Sequence, residues 1–260
     1  MIKYLIVILI SSLVSLNIIG GYSGDPGEVY AIKLNQDEDI SSHLIIEKDG
    51  IRFAIVALPY DKQGQFIKFY DKNIFINNKD FGESRITIKN TSMVNLSPED
   101  SIRASKESKI IRDALQTFST KYKSNLNFSN PVEGIISSRY GKKRFINESP
   151  RSPHLALDIA APEGTKVIAP EEGKVILVGD FFYSGNYLIL DHGYGLLSSY
   201  SHLSKINVSI NQLIEKGEKI GEIGSTGRVT GPHLHWSVYL DKTRINPESI
   251  IKDNFLESIL

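Results

Sequence analysis

The sequence predicts a mostly β protein, in which a small β-rich region is joined by one α-helix to a larger antiparallel sheet. Three observations predict this order. Short segments that alternate polar and apolar residues fill positions 24–96, a helix start signal follows at Ser97, and alternation of the same period returns after residue 130.

The composition bounds the class of protein. The chain has 260 residues, 30 basic and 30 acidic side chains, 41% hydrophobic residues and no cysteine. These values are typical of a globular chain of one or two domains, and they argue against disorder, a disulfide-stapled scaffold and a thiolate site. The zero net charge also removes the simplest electrostatic argument for nucleic acid as the main partner.

The first 23 residues predict a signal peptide or an N-terminal anchor. The apolar run at 4–19 would rise only about 24 Å as a helix, short of a hydrocarbon core of about 30 Å. Small residues at Gly21 and Ser23 provide a cleavage site before Gly24. We therefore expect export to the periplasm or cell envelope, and an uncleaved run would give membrane association instead.

Residues 24–96 predict a small β-rich N-terminal domain. Strand-like composition and turn dipeptides alternate along it, and it carries no catalytic chemistry. Its single histidine, His43, is expected to be solvated or packed. The strand-like segments are 29–34, 52–58, 66–70 and 85–89.

Residues 97–129 predict a helical linker. Ser97 is a capping residue, Pro98 suits the first helical position, and the acids at 99–100 favour the helix dipole. Four apolar side chains then recur at helical spacing and predict one packing face: Ile111, Leu115, Phe118 and Tyr122.

Although the net charge of the chain is zero, the middle of the chain is basic. Residues 101–151 carry eleven basic side chains against four acidic ones, balanced by acidic stretches such as 37–39. Most of these charges suit a solvated face, but beside an active site they would attract an anionic polymer. The basic residues are Arg103, Lys106, Lys109, Arg112, Lys121, Lys123, Arg139, Lys142, Lys143, Arg144 and Arg151.

Four of the six histidines lie on the polar faces of predicted strands. Alternation at 233–240 separates apolar side chains from His233 and His235, and alternation at 154–159 places His154 and Asp158 on one face. By the same count, Tyr200 and His202 point the same way. Antiparallel sheets always have a polar face, but its enrichment in imidazole favours a metal site.

Nitrogen and carboxylate donors in this number suit a catalytic zinc, which takes three protein ligands and leaves one position open. His154 and Asp158 would lie about 13 Å apart in a fully extended strand, so joint ligation needs a bend near His154. Pro153 makes such a bend plausible.

Three motifs together resemble the lysostaphin-type M23 metallopeptidases, the LytM-like family. They are His-Leu-Ala-Leu-Asp-Ile-Ala-Ala-Pro at 154–162, Tyr-Ser-His-Leu-Ser at 200–204 and Gly-Ser-Thr-Gly-Arg-Val-Thr-Gly-Pro-His-Leu-His-Trp at 224–236. The resemblance implies an antiparallel sheet or barrel-sandwich metallopeptidase domain at 130–250 with a tail at 251–260. Ala156 departs from the glycine usual in this family.

The resemblance also implies roles for individual residues. It makes His154, Asp158 and His235 the ligands of one Zn²⁺ per chain, and His202 and His233 the unligated catalytic histidines. Which of the two is the general base stays open. Tyr200 is expected either to hydrogen-bond the transition state or to pack, and His192 to lie in a hairpin turn.

The family cleaves peptide cross-links of bacterial peptidoglycan. The region before residue 130 resembles the N-terminal domain of Gram-negative members, which implies a DD-endopeptidase acting between D-Ala and diaminopimelate. We expect this domain to mask the groove until activation. Two alternatives stay open, namely a non-catalytic activator of another cell-wall hydrolase and a swinging-arm carrier.

Overall fold

The computed structural model of the chain describes residues 21–35, 42–88 and 95–260. The predicted export segment at 4–19 and the acidic stretch at 37–39 lie outside these residues. Within them, no helix has the length and the apolar character needed to cross a membrane.

The N-terminal part is built from short strands. In the described residues before the first helix, the strands are β1 (Tyr22–Gly24), β2 (Val29–Lys33), β3 (Ile45–Lys48), β4 (Ile51–Ala57), β5 (Phe66–Phe69), β6 (Lys72–Ile76) and β7 (Glu83–Ile86). One 3₁₀ turn lies at Tyr60–Lys62. Six of these strands, β1 to β6, form two small sheets of order β2-β4-β3 and β1-β6-β5. The sheets bury Ile32, Ala54 and Ile74 between them, which confirms the predicted β-rich region.

Helix α1 (Pro98–Ala114) begins at the predicted cap, where Ser97 Oγ accepts a hydrogen bond from the Asp100 N–H at 3.0 Å. The predicted apolar stripe is wrong at its end, because Phe118 and Tyr122 lie beyond the helix. The backbone N–H of Tyr194 donates to the Ser119 carbonyl at 2.6 Å. This tertiary bond uses an oxygen that a longer helix would need for itself.

After α1, the described residues form twelve further strands, followed by two short helices. The strands are β8 (Ile135–Ser138), β9 (Lys143–Ile146), β10 (Ser149–Arg151), β11 (Leu157–Ala160), β12 (Lys166–Ile168), β13 (Gly173–Phe181), β14 (Gly185–Asp191), β15 (Leu196–Ile206), β16 (Leu213–Ile214), β17 (Lys219–Ile223), β18 (His233–Leu240) and β19 (Thr243–Ile245). The helices are α2 (Pro247–Ile250) and α3 (Phe255–Ile259).

Ten of these strands form one antiparallel sheet. Its path runs β16-β13-β14-β15-β18-β11-β8, with β12, β17 and β19 paired to it at the sides. One face carries the main core, where Leu234, Trp236, Val238 and Leu240 of β18 are fully buried. The predicted alternation of β18 is therefore confirmed, and its histidines project from the opposite face.

A smaller sheet links the two halves of the chain. Its order is β10-β9-β7, and β7 pairs with β9 in parallel, with Glu83 opposite Lys143. Strand β7 of the N-terminal part thereby pairs with a strand that lies between β8 and β11 of the large sheet in chain order. The predicted domain boundaries at 96 and 130 stay predictions.

A stability test follows from the way residues 118–128 pack on the large sheet. Gly193 has φ +90°, and a Cβ there would collide with the backbone carbonyl of Tyr122, whereas Gly217 has φ +84° and open space around it. We expect Gly217→Ala to lower the free energy of unfolding by about 1 kcal/mol through backbone strain alone. Gly193→Ala should cost about 3 kcal/mol because the carbonyl must also move.

Urea denaturation of both variants measures this difference. Equal losses for the two substitutions would contradict the close packing of the Tyr122 backbone against the turn at Gly193.

Candidate functional site

The register of β11 and β18 brings two polar side chains together. Asp158 lies directly opposite His235 in this antiparallel pair, and both point away from the core face. The Asp158 Oδ1 and His235 Nδ1 atoms are 2.7 Å apart.

His154 joins this pair through the predicted bend. Strand β11 begins only at Leu157, and the His154 Nε2 atom lies 3.0 Å from Asp158 Oδ1. Two backbone hydrogen bonds hold the bent segment, from His154 N–H to the Lys142 carbonyl at 2.9 Å and from Gly141 N–H to the His154 carbonyl at 2.7 Å. Because of this bend, the side chains of His154 and Asp158 lie much closer together than a fully extended strand would allow.

A backbone carbonyl orients the ring of His154. Its Nδ1 lies 3.0 Å from the Arg139 carbonyl oxygen, so Nδ1–H donates there and the Nε2 lone pair faces Asp158. Such a partner on the far nitrogen is typical of histidines that bind metals.

The donor atoms of His154, Asp158 and His235 all lie within 4.8 Å of one another. Two imidazole nitrogens and one carboxylate oxygen form the set of donors that a catalytic zinc takes from a protein. The residues present are therefore suited to one zinc ion with an open coordination position.

The electrostatics of the group favour the protonation states that a metal needs. Burial by itself would raise the pKa of Asp158, but His235 and His154 outweigh it and hold that pKa well below its usual range. Burial lowers the pKa of His235 to about 4. At neutral pH the carboxylate is charged and the His235 imidazole is neutral, as metal ligands must be.

His202 and His233 face the same space from its other side. Their ring centroids are 4.9 Å apart, and the His233 Nε2 lies 4.0 Å from Asp158 Oδ1. Each Nδ1 lies near a backbone carbonyl, Thr226 at 2.9 Å for His202 and Gly231 at 2.8 Å for His233. Both rings thus keep Nε2 available toward the space beside the His154 group.

His202 is held neutral. Its burial, followed by the charges of His235 and His233, lowers the pKa of the ring to about 3. A neutral imidazole that donates from Nδ1 keeps a lone pair at Nε2, which can accept a hydrogen bond from water.

The prediction that Tyr200 shares a face with His202 is wrong. Tyr200 pairs with Trp236 across the sheet and is fully buried in the core, where its hydroxyl lies 2.8 Å from Ser198 Oγ. Ser201, opposite His235, takes the polar face instead. His202 reaches that face because its backbone adopts φ +67°, which breaks the alternation.

The remaining two histidines lie elsewhere. His192 is buried behind the sheet, where Nδ1 contacts the Glu172 carbonyl at 2.6 Å and Nε2 contacts Ser198 Oγ at 2.7 Å. His43 packs its ring edge against Phe69. Neither residue lines the groove described below.

A groove of about 410 Å³ extends from Asp158 and the histidines along the polar face of the sheet. Three serines of the sheet line it, Ser199, Ser201 and Ser237. Residues from the N-terminal half also line it, among them Ile86, Ile88, Ile111 and Leu115.

Four arginines also line the groove, and no individual role was predicted for any of them: Arg112, Arg144, Arg228 and Arg244. Arg228 lies inside the 224–236 motif, and Arg144 belongs to the basic stretch at 101–151, so the signals were present. Sequence alone did not show that these separate positions meet at one cavity.

Residues 152–247 match the family described as Peptidase family M23. A crystal structure of a Pseudomonas aeruginosa protein assigned to peptidase M23 superposes with a TM-score of 0.64 at 32% identity, covering 87% of this chain and 94% of that one. This similarity extends through the N-terminal half.

Two curated relatives match part of the chain. The peptidoglycan DD-endopeptidase ShyA of Vibrio cholerae is 39% identical over 112 residues, which cover 43% of this chain and 26% of the relative. The cell division protein DipM of Caulobacter vibrioides is 34% identical over 112 residues, covering 43% of this chain and 18% of the relative. The match thus spans about a quarter or less of the length of either protein.

A metal analysis tests the site. We expect the purified chain to bind one zinc ion and His235→Ala to lose it, because a site of three protein ligands then keeps only two. His43→Ala removes a histidine outside the groove and should leave the zinc content unchanged. Elemental analysis after dialysis measures both, and full retention of zinc by His235→Ala would contradict this ligand set.

Proposed function

Because the chain belongs to peptidase family M23, we propose that it is a zinc-dependent endopeptidase that hydrolyses peptide cross-links of bacterial peptidoglycan. The bond we propose joins D-Ala to diaminopimelate, which makes the protein a DD-endopeptidase. The similarity to a peptidoglycan DD-endopeptidase supports this choice, although that relative extends well beyond the aligned region.

One observation carries the proposal. The three donors of His154, Asp158 and His235 lie together, and Asp158 and His235 line the groove with two further imidazoles, His202 and His233, whose Nδ1 atoms face backbone carbonyls. Ligands alone would suit a structural metal site. The two additional histidines give the site groups that can move protons.

The proposed ligands act by holding zinc at the end of the groove. When bound, zinc lowers the pKa of a water in its open position and polarises the substrate carbonyl. The residues around it supply the rest of the chemistry. A neutral histidine accepts the proton of the attacking water at Nε2, and the other histidine, in its protonated form, donates a hydrogen bond from Nε2–H to the carbonyl oxygen as it gains charge.

The substrate class is supported by the shape and charge of the groove. An extended peptide fits along the polar face of β18, where Ser237 and then Arg244 follow the histidines. Peptidoglycan stem peptides carry free carboxylates, so a groove lined by four arginines attracts them. Peptidoglycan is part of the cell envelope, so this substrate agrees with export directed by residues 4–19. We therefore also propose that the chain is exported to the periplasm or envelope.

A second candidate function is recruitment or activation of another cell-wall hydrolase without catalysis. The similarity to a cell division protein favours it. The activator function gives the proton-accepting histidines no role, and for that reason we place it second. The swinging-arm carrier gives no role to any histidine of the groove and is not retained.

We also propose that the N-terminal half restricts access to the groove. The Phe182 N–H donates to Glu107 Oε2 of α1 at 2.5 Å, and Glu107 pairs with Arg103 at 2.7 Å. One turn further on, Ile111 and Leu115 pack against a cluster that includes Tyr187 and Tyr239. These contacts hold α1 along one wall of the groove.

Digestion of purified peptidoglycan tests the activity. We expect residues 24–260 to convert cross-linked muropeptide dimers to monomers, a chelator to stop the reaction, and mass spectrometry to identify the new ends. His202→Ala and His233→Ala should each keep zinc and lose about 10²-fold to 10⁴-fold in rate, the usual contribution of general acid and base groups.

The two candidate functions predict different results in that assay. A zinc-loaded protein that never lowers the amount of dimer, alone or after removal of the N-terminal half, would contradict the enzyme and favour the activator.

A variant of α1 tests the restricted groove. Glu107→Ala removes the hydrogen bond to Phe182 and the pair with Arg103, so we expect α1 to separate more readily and dimer cleavage to rise several-fold. Asp113→Asn removes an exposed acid of the same helix that does not line the groove, and it should leave the rate unchanged. A lower or unchanged rate in Glu107→Ala would contradict the restriction.

A further inference from the structure

Arg144 comes from outside the sheet that carries the proposed metal ligands. It lies on β9, in the small sheet that β9 forms with β7 and β10, and precedes the family match at 152–247. Its side chain nevertheless lines the same groove as Asp158 and His235, next to Ile146 of the same strand. The small sheet therefore adds a charged group to the groove.

The guanidinium of Arg144 has a donor without an acceptor. Its Nε atom is buried and has no hydrogen-bond partner among the described residues, and no carboxylate of those residues forms an ion pair with it. Buried donors in native proteins are normally satisfied. A buried donor that lines a groove and has no partner marks a position where a ligand would supply the missing acceptor.

The charges around Arg144 point to an anion. Arg151 lies opposite Arg144 in the pairing of β9 and β10, and like charges so placed repel each other. Burial lowers the pKa of Arg144, Asp158 opposes this shift, and the charges of Arg228 and Arg244 add to it. Since Asp158 is committed to the proposed metal, this part of the groove keeps excess positive charge.

The chemistry of the proposed substrate identifies which anion this is. A guanidinium binds a carboxylate through two parallel hydrogen bonds. In a cross-link between D-Ala and diaminopimelate, the carbon that bears the scissile nitrogen also bears a carboxylate. Lysine has the same chain without that carboxylate. The free acid thus lies one carbon from the bond that is cut, and Arg144 lines the cavity beside the proposed ligand Asp158.

We propose that Arg144 binds the carboxylate next to the scissile nitrogen and so selects diaminopimelate cross-links over lysine cross-links. This inference rests on the proposed endopeptidase function. It assigns substrate selection to a strand outside the matched family region, while the proposed hydrolytic groups lie within it.

Two synthetic cross-linked peptides test the proposal with the full mature chain. They are identical except that the amine partner is diaminopimelate in one and lysine in the other. Wild type should cleave the diaminopimelate peptide with kcat/KM about 10-fold to 100-fold higher, as expected for a charge-assisted bidentate contact. Arg144→Gln should lose this preference mainly through a higher KM, and Arg144→Lys should recover part of it.

Lys143→Gln is the matched control. It removes one positive charge from the adjacent position of β9, where the side chain is exposed and does not line the groove. We expect this variant to keep the wild-type preference. Zinc content and melting temperature are measured for every variant, so that a folding defect in Arg144→Gln is recognised.

The outcomes separate the inference from the function on which it rests. Failure of zinc-loaded wild type to cleave either peptide would remove the endopeptidase function itself. Cleavage of the diaminopimelate peptide at a wild-type KM by Arg144→Gln, or an equal loss on both peptides, would overturn the role of Arg144 and leave the endopeptidase intact.

Discussion

The antiparallel pairing of β11 with β18 is the constraint on which the site depends. It sets Asp158 opposite His235, and the bend at His154 then closes the group around one carboxylate oxygen. Removing that carboxylate from water is unfavourable, and the neighbouring imidazoles offset this cost only in part. A divalent cation would satisfy all three donors at once. Metal binding and the local stability of this pair of strands are therefore coupled.

The groove is a joint product of both halves of the chain. Strands of the large sheet supply Asp158, His202, His233 and His235, and the bend before β11 supplies His154, whereas β7, β9 and α1 contribute other residues that line the groove. Glu107 attaches α1 to the β13–β14 connection, and Arg144 brings charge from the small sheet. The proposed chemistry and the proposed restriction of access are thus assigned to different parts of the fold. This division lets substrate selection change without disturbing the proposed metal ligands.

Local patterning was enough to predict the mostly β architecture, the cap of α1 and the polar face of β18, because each depends on residues close in sequence. The three motifs also led to the five side chains that meet at the end of the groove. The predictions were wrong where tertiary structure overrides the alternation of a strand or the helical spacing of apolar residues. His202 changes face through a left-handed backbone, Tyr200 enters the core, and α1 ends before Phe118. The position of Arg144 depends on strand pairing between distant segments, which no local pattern records.

X-ray absorption spectroscopy at the zinc edge tests the central claim most directly, because it reports the ligands themselves. The proposed centre predicts two imidazole nitrogens and one carboxylate oxygen from the protein, with one further oxygen from solvent, all about 2.0 to 2.2 Å from the metal. A third imidazole in the first coordination shell would mean that His202 or His233 binds the metal. That result would contradict the separation of ligands from proton-transferring histidines on which the proposed mechanism depends.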